Sequence, residues 1–250
     1  MGGQTREPFS DATWNAFLRR WEQGDYRASF FRDMVLTDVR RLGPRPTVLD
    51  IGCGRGLDGE PDLQRSLAEQ SGAYLGIEPD PAIPAADWFT HVHRCRLEDA
   101  ALEPASIDVA LAVFVIEHVR SPKTLFRKIF EVLVEGGVFW AFTIDARHVF
   151  ALASLLTQGL RLKQWCIHHA RDAGVRCNAE VYPTYYRANT PCAIRRYSAG
   201  FRSVRVMNLH QTGQFDAYLP RWAHPCSHGL DRLAAFLRLP GPMLVARLEK

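Results

Sequence analysis

At 250 residues, with 47% hydrophobic and 23% charged side chains and a net charge of +4, the chain is long enough for one sizeable core and has the make-up of a soluble globular protein. No run of about 18 apolar residues occurs and Met1–Glu7 has no apolar leader segment, so neither a membrane span nor a membrane partner is expected. The six cysteines (53, 95, 166, 177, 192 and 226) form no C-x-x-C pair, which argues against a disulfide framework and for reduced thiols in a cytoplasmic protein.

The charge is unevenly spread. Met1–Thr143 holds 16 Lys+Arg against 21 Asp+Glu, net −5; Ile144–Lys250 holds 15 against 6, net +9, and six of the nine histidines. One reading is a solvated basic surface. Another is a basic cover that draws an anionic substrate to a pocket by Arg pairing. Nucleic acid is the least supported partner, because the basic residues form no dense run.

In chain order, Trp14, Phe17, Leu18 and Trp21 recur at helical spacing over Asp11–Glu22, with Ser10 or Asp11 as cap. A second helix is predicted over Ala28–Leu42, stopped by Gly43-Pro44. The two form a helical cover over residues 1–44, with both tryptophans in the core. Arg27 and Arg32 lie within possible reach of a ligand carboxylate, with a surface role as the simpler reading. Thr47–Ile51 then reads as a strand buried on both faces. It leads into Asp50-Ile51-Gly52-Cys53-Gly54-Arg55-Gly56, a carboxylate followed by three alternating glycines. Such a turn at a strand's carboxyl end leaves backbone bare for a nucleotide-like ligand. The G-x-G-x-G spacing differs from the dinucleotide G-x-G-x-x-G and implies no phosphate.

Leu57-Asp58-Gly59-Glu60 delays the next helix, which is predicted from Pro61 to Gln70. A second short apolar run ends in Glu78, 22 residues after Gly56, where an acid can take both ribose hydroxyls of a nucleoside. Pro79-Asp80-Pro81 makes a rigid turn. His91–Leu97 is predicted as the third strand and Asp108–Phe114 as a central fourth. Ser121 and Pro122 open a helix that Gly136-Gly137 end, and Val138–Thr143 is the fifth strand.

Alternation then lapses over 144–190. A helical pattern runs through Val149–Leu162, and a loop gathers Tyr182, Tyr185, Tyr186, Arg187 and Asn189. A long excursion of this kind is commonly functional. Thr190-Pro191 cap a helix to Ala199, Ser203–Leu209 is the sixth strand, 211–242 is a second insertion with a short apolar helix near Leu230–Leu237, and Met243–Leu248 is the last strand.

Val48–Gly56 with Glu78 resembles the cofactor site of the class I S-adenosylmethionine-dependent methyltransferases. Leu97-Glu98-Asp99, Val115-Ile116-Glu117-His118-Val119 and Val132-Leu133-Val134-Glu135-Gly136-Gly137 follow in that family's order, so the resemblance covers about Pro46–Thr143. It implies a Rossmann-like, doubly wound α/β sheet of seven strands, mostly parallel, with the last strand antiparallel beside the fifth. It divides the single domain into the helical cover, a cofactor core over 45–143, a lid over 144–190 and a C-terminal part over 191–250.

The implied cofactor is S-adenosyl-L-methionine, held by Asp50, Gly52, Cys53, Gly54, Gly56, Glu78, Pro79, Leu97, Glu98 and Phe114. Leu97 would lie against the adenine, although the family often has an acid where Arg96 stands. Transfer from a sulfonium is an in-line displacement that depends on positioning, helped by a base where the acceptor is a hydroxyl or a protonated amine. His118 and His148 are the candidate bases, each also readable as a merely hydrogen-bonded histidine. Tyr185, Tyr186, Arg187 and Asn189 are the candidate acceptor contacts, with Arg187 pairing an acidic group.

The acceptor is expected to be a small metabolite or natural-product intermediate, an anionic one on the charge argument, with O-methylation ahead of N-methylation and a monomer or homodimer as the assembly. RNA or protein as acceptor, and cofactor binding without catalysis, are the other readings. Two further groups, His224/Cys226/His228 and Cys166/His168/His169, have metal-ligand types but not the usual zinc spacing, and no metal is assigned.

Overall fold

The computed structural model describes residues 9–159, 182–213, 216 and 219–250. The apolar runs form seven strands: β1 (Thr47–Ile51), β2 (Ala73–Ile77), β3 (His91–His93), β4 (Ile107–Val113), β5 (Leu133–Ile144), β6 (Ser203–Leu209) and β7 (Met243–Glu249). Their order in the sheet is β3-β2-β1-β4-β5-β7-β6. β3 to β5 run parallel, and β7 lies antiparallel between β5 and β6. The order reverses between β1 and β4, and ligands of such sheets bind in the crevice beyond the strand ends at this switch point.

Helices cover both faces. On one side pack α1 (Asp11–Glu22), α2 (Arg27–Leu42) and α3 (Pro61–Glu69); on the other, α4 (Pro122–Val132) and α6 (Pro191–Tyr197). α5 (Val149–Gly159) follows β5, and α7 (His224–Phe236) precedes β7. Ser10 caps α1 by accepting the Thr13 N–H at 3.1 Å, and Thr190 caps α6 by accepting that of Ala193 at 3.1 Å.

The cover is tied down by a buried ion network. Asp38 on α2 accepts from Arg247 on β7 at 2.7 and 2.9 Å, from Arg41 at 2.7 Å and from Trp140 Nε1 at 3.0 Å. Phe9 lies over the Arg247 guanidinium, 4.5 Å from ring centroid to carbon. Trp14 stacks on Trp140, and Trp21 packs against Phe30 while donating to the His210 carbonyl. Both tryptophans are structural, as expected.

Three boundaries and one cap depart most from the sequence reading. β3 stops at His93, and Leu97–Asp99 form a 3₁₀ turn instead of the strand's end. Gly136-Gly137 do not end α4; the helix gives way at Leu133 directly to β5, and both glycines lie inside that strand. There the β4–β5 register jumps, with Ile107 facing Leu133 and Val109 facing Val138. Gly136 sits at φ +76°, and a Cβ on Gly137 would come within 2.9 Å of the Val134 carbonyl oxygen, so this bulge requires glycine. Ser121 precedes α4 but its hydroxyl bonds Thr124 Oγ1 and caps no backbone N–H. The helix of the second insertion is longer than Leu230–Leu237, beginning at His224. The part of the Val149–Leu162 prediction beyond Gly159, and Cys166, His168 and His169, lie outside the described residues.

Candidate cofactor and acceptor site

A cavity of about 1800 Å³ opens over the carboxyl ends of β1, β2 and β4. Single small-ligand pockets usually enclose about 300–1,000 Å³, so this one has room for two ligands. On one side lie Gly52, Gly54, Gly56, Glu78 and Pro79 with Leu97, Glu98 and Asp99; on the other, Glu117, His118, Arg120, Tyr182, Tyr185 and Tyr186; Phe114 and Val115 lie on its wall.

The glycine loop is shaped by contacts no side chain would allow. Gly52 is at φ +69°, and a Cβ there would fall 2.4 Å from Val115 Cγ2. At Gly56 (φ +127°) it would fall 2.5 Å from the Pro61 nitrogen, a backbone collision forced by the Leu57–Glu60 turn. The loop hangs on β2: the Gly52 and Cys53 N–H groups donate to the Ile77 carbonyl at 2.8 and 3.1 Å, and that of Gly54 donates to Glu78 Oε2 at 3.0 Å. Glu78 Oε1 accepts the Asp80 N–H at 2.9 Å. The carboxylate is thus fixed by one backbone donor per oxygen, with lone pairs left for ribose hydroxyls.

Asp50 and Cys53 do not line the cavity. Asp50 is buried beneath the loop, where Oδ2 accepts from Gln64 Nε2 and Tyr74 Oη, each at 2.8 Å. Gln64 Nε2 also donates to the Cys53 carbonyl at 2.8 Å, so Asp50 reaches the loop through Gln64. Burial pushes the Asp50 carboxyl up to about 6; the Gln64 and Tyr74 bonds pull it down, and the nearby Glu78 charge adds to the rise. The Cys53 thiol packs against Gly76, and burial, then the Asp50 and Glu78 charges, push it up to about 12, so it is inert.

Phe114 takes φ +55° as the chain leaves β4, rare for a bulky residue and typical of strain held at a site. Arg27 of α2 lies over its ring at 4.9 Å and makes a two-pronged pair with Asp58 at 2.6 and 2.9 Å. The helical cover is thereby joined to the delayed turn at the cavity's edge. Arg32 instead pairs with Asp33 at 2.7 Å.

The two histidines part company. His118 lines the cavity, and its Nδ1 lies 2.8 Å from the Pro183 carbonyl. A carbonyl only accepts, so Nδ1 carries the proton and a neutral ring keeps its lone pair on Nε2. His148 is buried at the head of α5 and is not among the cavity's residues; its Nδ1 accepts the Phe150 N–H at 3.2 Å, and burial lowers its pKa.

The proposed acceptor contacts divide likewise. Tyr185 and Tyr186 face the cavity. Arg187 does not; it donates to the Arg120 carbonyl at 2.7 Å. Asn189 is fully buried, its amide donating to Thr143 Oγ1 at 2.6 Å and the Ile144 carbonyl at 3.2 Å.

Sequence reasoning assigned no role to two residues that do line the cavity. Glu117 is a buried carboxylate whose Oε2 accepts from Thr143 Oγ1 at 2.7 Å, while its carbonyl holds the Tyr185 and Tyr186 N–H groups. An acid inside the apolar run Val113–Val119 was the available signal. Arg120 places its guanidinium 5.6 Å from the Tyr185 ring, and no pattern distinguished it from other arginines. Among the described residues no group of three or more His, Cys, Asp or Glu side chains is arranged to hold a metal ion; His228 and Asp216 form a pair at 2.8 Å.

Comparison with known proteins agrees with this geometry. Residues 21–182 match the family model described as a methyltransferase domain. The mitochondrial ubiquinone biosynthesis O-methyltransferase of Bos taurus is 30% identical over 161 residues, covering 53% of this chain and 42% of that protein. The ubiquinone biosynthesis O-methyltransferase of Methylobacterium nodulans is 31% identical over 142 residues, covering 51% and 55%. The chain thus spans about half the length of the curated relatives it matches. In fold it resembles the crystal structure of an S-adenosylmethionine-dependent methyltransferase from Archaeoglobus fulgidus, with a TM-score of 0.56 at 11% identity over 95% of this chain and 100% of that one. A side-chain-bare loop hung on the β2 acid, at the switch point of a seven-stranded sheet with β7 antiparallel, fits an adenosyl amino acid, and the chain belongs to the S-adenosylmethionine-dependent methyltransferase family.

Proposed function

We propose that the protein methylates a hydroxyl group of a small acceptor seated between the Phe114–Val115 exit and Tyr185–Tyr186. The observation that carries this reading is His118. Its Nδ1 is committed to the Pro183 carbonyl, which leaves Nε2 as the proton acceptor in a cavity with room for a second ligand. Similarity to proteins named as ubiquinone biosynthesis O-methyltransferases supports oxygen as the atom methylated.

S-adenosylmethionine, when bound, supplies a methyl carbon on a sulfonium. Glu78 and the Gly52–Gly56 backbone would hold its adenosyl part, with Leu97 and Glu98 along the adenine. Phe114 and Val115 wall the cavity between cofactor and acceptor and exclude water. His118 would take the hydroxyl proton at Nε2. Arg120 and the tyrosines orient the acceptor, and Arg120 favours one with negative charge.

The test is release of S-adenosylhomocysteine across a panel of phenols, catechols and hydroxy acids, with amines as the contrast. His118→Ala should lower kcat by about a hundredfold or more. Turnover of amines alone, or a kcat unchanged by the substitution, would refute the reading.

A further inference from the structure

α7 sits on the molecule inside out. Its polar groups face the protein: Ser227 is buried, Asp231 Oδ2 accepts the Gly213 N–H at 2.8 Å, and His228 bonds Asp216. Its large apolar groups face solvent. Phe236 is 83% exposed and Leu230 67%, with Leu233 beside them, Leu237 and Leu239 just beyond, and Trp222, 82% exposed, just before the helix. A surface helix ordinarily does the reverse. Cys226, Leu230, Leu233 and Leu237 recur at steps of four, three and four, so they form one stripe, with Phe236 at its side.

The charges carried by this segment itself are nearly all of one sign. Residues 219–242 carry Arg221, Arg232 and Arg238, all exposed, against the single carboxylate of Asp231, which is engaged.

We propose that α7, with Trp222, is a docking surface for an anionic lipid bilayer. Trp, Phe and Leu flanked by Arg are the residues that settle an interfacial helix at the headgroup boundary, with the guanidinium groups on lipid phosphates. A second copy of the chain is the poorer occupant. Symmetric pairing of this face would set arginines against arginines with no free acid to pair them. The composition gave no sign of this, because interfacial docking needs no long apolar run; no helix of the described residues is long and apolar enough to cross a membrane.

The test uses the full chain without cofactor or acceptor, so it is independent of the proposed methyl transfer. The protein is sedimented with vesicles of phosphatidylcholine alone and of phosphatidylcholine mixed with phosphatidylglycerol, at low and high salt. It should bind the mixed vesicles and weaken with salt. Arg232→Glu/Arg238→Glu should weaken binding by about thirtyfold or more, since each arginine near an anionic surface contributes about fivefold. Leu233→Ser/Phe236→Ser should weaken it by about tenfold or more, and neither pair should lower the melting temperature, because these side chains are exposed. Failure of the wild-type chain to bind mixed vesicles at low salt, or retention of binding by both pairs, overturns the proposal. So does a dimer that Leu233→Ser/Phe236→Ser dissolves, with no vesicle binding; that result assigns the face to a second copy.

Discussion

Replacing Asp50 by Asn separates the cost of a buried charge from the value of its hydrogen bonds. In the fold this carboxyl is moved from its ordinary 3.8 to about 6, with burial the largest cause. The folded state therefore prefers the proton more than the unfolded chain does. The stability tied to this group is fully present below about pH 4 and is lost as pH rises through about 6. The size follows from the shift: about two units at roughly 1.4 kcal/mol each, or on the order of 3 kcal/mol. Asn cannot ionise, yet its oxygen can still accept from Gln64 and Tyr74. Urea unfolding of both proteins between about pH 4 and pH 8 removes the background common to the two. The wild-type chain should lose about 3 kcal/mol relative to Asp50→Asn over that interval. A constant difference would show that Asp50 is not held protonation-sensitive by burial, and would undo the account of how it sits beneath the loop.

Glu78→Ala should weaken S-adenosylhomocysteine binding by about thirtyfold or more in calorimetry, from lost ribose bonds worth about 2 kcal/mol or above and a loop left without its Gly54 anchor; unchanged affinity would remove the ribose assignment. Asp38→Asn should cost about 1.5–3 kcal/mol, because Arg247 loses its charge-assisted bonds to Asp38 but keeps Glu249 at 2.9 Å, and a urea midpoint close to wild type would show that the network is dispensable. Arg120→Ala should raise the acceptor KM far more than the cofactor KM, while Arg187→Ala should act through loop stability and leave both nearly unchanged once folding is restored; the opposite ranking would return the role to Arg187.

Much of the sheet was legible because its strands are short apolar runs closed by glycine, proline or a carboxylate. β1 falls on its predicted residues for that reason. β3 was overrun because its sequence continues with alternating character to Leu97, while its partner cannot continue. β2 ends at Ile77, the Glu78 N–H makes one more bond to the His93 carbonyl, and the next donor on that side, the Asp80 N–H, turns back to Glu78 Oε1. The β5 entry was misread for the opposite reason. Gly136-Gly137 after an amphipathic helix look like a C-cap, and only the pairing of Ile107 with Leu133 shows the strand already under way.

At the site, the loop and the β2 acid could be read because backbone geometry demands glycine and a carboxylate there. The acceptor side could not, because sequence shows which polar residues gather in the 182–190 loop but not which way each one points. Several of its polar groups serve to fasten it. The Tyr185 and Tyr186 N–H groups go to the Glu117 carbonyl, the Pro183 carbonyl to His118, the Thr184 N–H to Gln158 Oε1 and the Asn189 amide to Thr143. Asn189 is spent on Thr143 and the Ile144 carbonyl of β5 and Arg187 on the Arg120 carbonyl, and neither lines the cavity, while the two tyrosines do. The same bonds have a mechanistic consequence. The Glu117–His118 turn holds the loop through both a carbonyl and an imidazole nitrogen, so the proposed proton acceptor and the wall of the acceptor pocket are one mechanical unit. His118→Asn tests this coupling: an amide can still donate to the Pro183 carbonyl and keep the loop seated, but it cannot take a proton. It should preserve the acceptor KM better than His118→Ala does while losing as much kcat, and equal KM values in the two variants would show that the loop does not depend on this bond.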